Sequence, residues 1–230
     1  MNVEEFRAQL EEDQIWRRDE IRFLQNLAAR IDSKEDQDQF RRAIILLLYA
    51  HFEGFCKFAF TLYINAINGI RITCGEANYA IAAASLANLF EALREPFKKC
   101  NEFRKELPND TKLHRFAMDR EFVKRAADFA EQLVCIPDDV VDMESNLKPV
   151  VLRKNLYRLG LPHDQFKSLE GKIHCLLELR NSIAHGAAKK GVELNTYESL
   201  RDTTFTIMDE ITRGIMNAFQ NKLYLRACNC

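Results

Sequence analysis

"FRRAIILLLYAHFEGFCKFAFTLYINAI", residues Phe40 to Ile67, is apolar almost all the way round when wound as a helix. A helix without a solvent face is one that its neighbours cover, so this stretch predicts the central element of a helical bundle. The apolar run from Ala43 to Ile70 looks suited to a membrane at first sight, but His51, Glu53 and Lys57 interrupt it before ~18 uncharged residues accumulate. The expectation is a buried helix of a soluble protein with no membrane contact.

Working outward, Trp16, Phe23, Leu24, Leu27 and Ile31 fall on one helical stripe ahead of the polar connection "DSKEDQDQ". On the other side, Asn68-Gly69 and Gly75 predict a loop, and "NYAIAAASLANLFEALREPF" a helix broken at Pro96. The Asn109-Asp110-Thr111 start signal opens a further helical stretch that Pro137 stops. "ESNLKPVVLRKNLYRLGLPHDQF" predicts a helix ended by Gly160 and Pro162; Asp164 then caps the next helix, and a last one runs from about Thr196 to Leu225.

Composition agrees with an all-α fold. Only 8 Gly and 5 Pro accompany 16 Phe, too few turn formers for a many-stranded sheet. The chain is read as one domain over residues 1–230, with residues 98–142 as a candidate helical insertion. A formal charge of −1 excludes a global basic field, so phosphate binding has to be local. The 7 cysteines are odd in number and scattered, as expected of reduced thiols in a cytosolic protein, and Cys228 and Cys230 lack nearby Cys or His to complete a metal site. The charged N-terminus lacks the apolar segment of a secretory signal. No metal and no cofactor are expected.

The chemistry gathers in "LLELRNSIAHG", Leu176 to Gly186. At ~100° per residue, Leu169, Ile173, Leu176 and Ile183 share one arc, and Arg180 falls inside it. His174, Glu178, Asn181 and His185 make a polar stripe on the opposite side. An arginine on a core face needs a carboxylate, and Glu53 of the central helix is the expected partner of Arg180 or of the Asn181 amide. The alternatives are that Glu53 pairs with Lys57 or reaches solvent. His51, ringed by Leu47, Leu48, Phe55, Phe58 and Leu62 at helical spacing, reads as a satisfied core histidine. Arg180 and His185 diverge on a regular helix, but Gly186 invites a left-handed cap and a loosened last turn that would let the arginine swing beside the imidazole. An imidazole beside a guanidinium and an amide suits phosphate chemistry on RNA, with the ribose 2′-hydroxyl as nucleophile. The residues alone favour a helix end in which His185 caps carbonyls and Arg180 sits in a structural ion pair.

"RNSIAHG" resembles the R-N-x-x-x-H motif of the HEPN superfamily, and "LLLYAHFEGFCKFAFTLY" and "SNLKPVVLRKNLYRLGL" resemble its MAE-like branch. The resemblance implies an elongated bundle of about six to eight helices and a metal-independent endoribonuclease. It also implies a homodimer joined through the motif helix, often held in a toxin–antitoxin or antiphage setting with a partner protein. Arg180 would then hold phosphate, Asn181 position it and His185 transfer the proton, with Glu53 in support. Lys189, Lys190, Arg153, Lys154 and Arg158 are candidate RNA contacts. The superfamily also contains non-catalytic members that bind nucleotides or RNA, or scaffold complexes. The tyrosine that some HEPN toxins carry two residues after the histidine is Ala187 here, which argues against control by adenylylation at that position.

Overall fold

The computed structural model describes residues 1–95 and 110–227. Pro96, Cys100, Cys228 and Cys230, on which several expectations fall, lie outside the described residues. Eight α-helices are present among those residues: α1 (Val3–Ala28), α2 (Lys34–Ile70), α3 (Tyr79–Ser85), α4 (Ala87–Arg94), α5 (Thr111–Ala127), α6 (Pro149–Arg158), α7 (Glu170–Ala184) and α8 (Leu194–Gln220). No strand forms among them; Thr73–Leu133 and Ala77–Leu225 are isolated bridges. The architecture is an all-α bundle.

α2 is its axis. Ser33 caps it and Glu35 and Asp36 complement the positive end of its dipole. Length and composition would let α2 cross a membrane, yet 56% of its most apolar window is buried inside the fold. α1, α7 and α8 pack around it, and Phe52, Phe55 and Phe60 are fully buried there. Each such side chain contributes roughly 1.5–3 kcal/mol by leaving water. α3 packs on α6, and α4 on α5.

Several boundaries differ from expectation for identifiable reasons. α1 begins at Val3, where Asn2 and Glu5 form a reciprocal capping box. Its buried line is Phe6, Leu10, Gln14, Ile21 and Ala28, while Trp16 and Phe23 are 48% and 60% exposed. α2 runs through Asn68 and Gly69 rather than looping there, because the Asn68 amide is a hook: its Nδ2 donates to the carbonyl of Ile136, and its Oδ1 accepts from the amide of the same residue. The helix ends at Arg71, which is left-handed with φ 63°. The predicted third helix is two, hinged at Leu86. His114 is buried on α5. Asp164 does not cap α7. Its carbonyl starts the 3-10 turn Lys167–Leu169 by accepting from Lys167, and α7 follows at Glu170.

Candidate functional site

Arg42, Tyr49 and Glu53 recur at i, i+7 and i+11 on α2, one line along its surface. That line holds the C-terminal end of α7. Arg42 donates through Nη1 to the carbonyls of Ala188 and Lys189, each at 3.0 Å. Next to it, buried Arg41 donates through Nε to the carbonyl of Val192 at 3.0 Å and pairs with Asp38. Seven residues on, the Tyr49 ring lies under Arg180, whose Cζ is 5.0 Å from the ring centroid. The Tyr49 hydroxyl donates to Glu53 Oε2 at 2.7 Å, and both oxygens accept from the amide of Leu147, at 2.7 and 2.9 Å. Burial first, and then the hydrogen bond to Glu53, push the Tyr49 hydroxyl well above the ordinary tyrosine range, so it stays a donor.

This geometry corrects two expectations. Glu53 makes no ion pair with Arg180, nor with Lys57 or Asn181; it is held by Tyr49 and Leu147, and reaches the arginine only through the tyrosine ring. The expected approach of Arg180 to His185 brings no hydrogen bond between their side chains. Five residues are ~500° of rotation, so the two side chains leave the helix about 140° apart. Arg180 turns instead to Asn181 Oδ1 at 2.8 Å and Asn146 Oδ1 at 3.3 Å, both bonds made by Nη1.

The end of α7 is otherwise as Gly186 requires. Gly186 is left-handed at φ 73°. Its amide bonds the carbonyl of Ile183, and that of Ala187 bonds Ser182, the paired contacts of a Schellman cap. His185 is the cap residue: its backbone N–H donates to the carbonyl of Asn181, while its exposed imidazole has no partner among the described residues.

Asn146 and Tyr49 were not among the predicted site residues. Tyr49 stands four residues before Glu53 on one helical face, a signal that spacing does contain. Asn146 has no periodic context, because it ends a turn. Glu144 and Ser145 both have positive φ, 47° and 67°, and the amide of Asn146 closes on the carbonyl of Met143 at 2.9 Å. This is a type I′ geometry built without glycine, at a cost of roughly 1–2 kcal/mol for each left-handed residue. Neighbours hold it in place. Lys154 pairs with Glu144 at 2.8 Å, and the Asp142 carboxylate accepts from the Glu144 amide at 2.8 Å. Buried Asn155 bonds both the amide and the carbonyl of Asp142.

The predicted RNA contacts divide accordingly. Arg153 meets Glu170 and Asp164, Lys154 meets Glu144, and Arg158 donates to the carbonyl of Val140, so these three are committed within the chain. Lys189 and Lys190 are exposed just past the motif, and their ammonium groups have no hydrogen-bond or ion-pair partner among the described residues. His174 is an exposed pair with Glu178, as its i+4 spacing suggests. A cavity of about 1110 Å³ opens elsewhere, between α3, α4 and α6, and no residue of α7 lines it.

A family model described as MAE_28990-like HEPN matches residues 6–224. No curated protein and no solved structure matches the chain. The match spans the motif, the strained turn and the central helix alike: the chain belongs to the MAE_28990-like HEPN family.

Proposed function

We propose that this chain is a metal-independent endoribonuclease that works as a homodimer. Membership of the HEPN superfamily supports a nuclease or RNA-binding module. The observation that carries the finer reading is the state of three side chains at one helix end. His185 presents a free imidazole to solvent, while Arg180 and Asn181 are fixed one turn earlier with donors to spare.

In the proposed reaction the ribose 2′-oxygen bonds to the adjacent phosphorus, the bond from phosphorus to the 5′-oxygen breaks, and a 2′,3′-cyclic phosphate and a 5′-hydroxyl remain. One imidazole takes the 2′-hydroxyl proton, and one gives a proton to the leaving oxygen. Two motif helices brought together supply both imidazoles, which is the chemical reason for a second copy. Arg180 faces the charge that builds on the phosphorane oxygens. Lys189 and Lys190 contact flanking phosphates, which makes affinity fall with salt. A toxin–antitoxin or antiphage setting in the cytoplasm, with a protein that keeps the activity in check, belongs to the same proposal.

A non-catalytic RNA-binding role is favoured by one fact, that no hydrogen bond joins Arg180 and His185 within the chain. Purified protein incubated with RNA in EDTA separates the two. The wild type cuts, and His185→Ala and Arg180→Ala each lower the rate by about 10²–10⁴-fold. The melting temperature of His185→Ala stays that of the wild type, since the exposed imidazole has no hydrogen-bond partner among the described residues. RNA that is bound but left intact by the wild type supports the binding role and overturns the enzyme.

A further inference from the structure

Arg180 is gripped along one edge only. Nη1 carries two hydrogens, and the oxygens of Asn181 and Asn146 accept from it. The Arg180 Cζ lies over the Tyr49 ring, 5.0 Å from its centroid. No hydrogen bond or ion pair among the described residues uses Nε or Nη2, and those neighbouring nitrogens form the flat edge that meets two oxygens of a phosphate side by side. Asn181 comes to the arginine from the same helix. Asn146 comes from the left-handed turn at Glu144 and Ser145, a backbone shape that persists only because Lys154, Asp142, Asn155 and the Tyr49–Glu53 pair hold both its sides. Strain kept at a turn whose last side chain reaches the motif arginine points to a task for that side chain.

We infer that Asn146 is a positioning residue for phosphate recognition: with Asn181 it occupies Nη1 of Arg180, so that the Nε and Nη2 edge is the one presented to RNA. The inference rests on the RNA-cleaving reading of the motif. Asn146 itself does not touch the substrate; it removes the freedom of the guanidinium to turn.

The test pairs kinetics with nitrogen-15 NMR of the Arg180 guanidinium in the full-length protein. In the wild type, rotation about the Nε–Cζ bond is slow. In Asn146→Ala it becomes fast, and kcat on RNA falls about 10- to 100-fold with little change in KM, as expected when a charge-stabilising group is misplaced by about an ångström. Asn146→Asp keeps an acceptor for Nη1, so rotation stays slow, while its carboxylate repels phosphate and KM rises. A folded Asn146→Ala protein with unchanged kcat, or with unchanged Arg180 dynamics whatever its activity, overturns the inference. If the alanine variant does not fold, free rotation in folded Asn146→Asp overturns it instead. Wild-type protein that leaves RNA intact defeats the enzymatic reading, while the NMR comparison still reports on the clamp.

Discussion

His51 is only 5% exposed, with its Nε2 2.7 Å from a carboxylate oxygen of Glu20 and its ring edge-on to Trp16, whereas His185 stands in solvent. The difference has a consequence in pH. Burial lowers the His51 pKa from its ordinary 6.5, against the opposing pull of Glu20, with Arg17 and Asp13 adding smaller effects of opposite sign. Between the depressed native value and 6.5 the unfolded chain binds more protons than the fold does. Stability from neutral His51 is therefore complete above 6.5 and is lost as pH falls through the native value. Urea titrations between pH 5 and pH 8 should show that slope, and His51→Gln should flatten it. The same scale decides what a reader of the chain can see. Arg180, Asn181 and His185 stand out in the sequence because their types and spacing resemble a motif, and His51 because apolar residues ring it at helical intervals. Glu53 is legible as an orphan carboxylate but not by partner, because its partner is a tyrosine hydroxyl and a loop amide rather than a cation. Asn146 is silent because turn conformation, not residue type, brings it to the arginine.

At the level of elements, α2 is both core and scaffold, and the segment after α7 is stapled to its first turns. The amide of Val192 donates to the carbonyl of Asp38 at 2.8 Å, and Gly191 lies against that backbone so closely that a Cβ would stand 2.5 Å from the Asp38 carbonyl carbon. Gly191→Ala is thus expected to destabilise the fold by about 1–3 kcal/mol, because the obstacle is backbone and cannot rotate aside. A melt some degrees below the wild type checks this; an unchanged melt would mean that the staple is slack. The central helix and the final helix are readable from periodicity, since burial on many sides leaves a long apolar signature. Their ends are less so. Asn68 resembles a turn former but is a helical hook for Ile136, and Asp164 resembles a cap but starts a 3-10 turn. A polar residue has several ways to satisfy its hydrogen bonds, and only the tertiary neighbours choose among them.

On the scale of the molecule, the bundle turns the apolar side of α7 inward on α2 and α8 and leaves His174, Glu178 and His185 exposed on the other. Tyr49, the strained turn and Arg42 hold the end of that helix from behind; in the proposed reaction such preorganisation is what gives a charge-stabilising site its advantage over water. In the proposed reaction the second imidazole comes from a second copy of the same helix end. The most direct measurement is the chemistry of the cut ends of a defined RNA incubated with the protein in EDTA. The account predicts a 2′,3′-cyclic phosphate on the upstream fragment and a 5′-hydroxyl on the downstream one. Ends carrying a 3′-hydroxyl and a 5′-phosphate, or scission that appears only when a divalent metal is added, would contradict it.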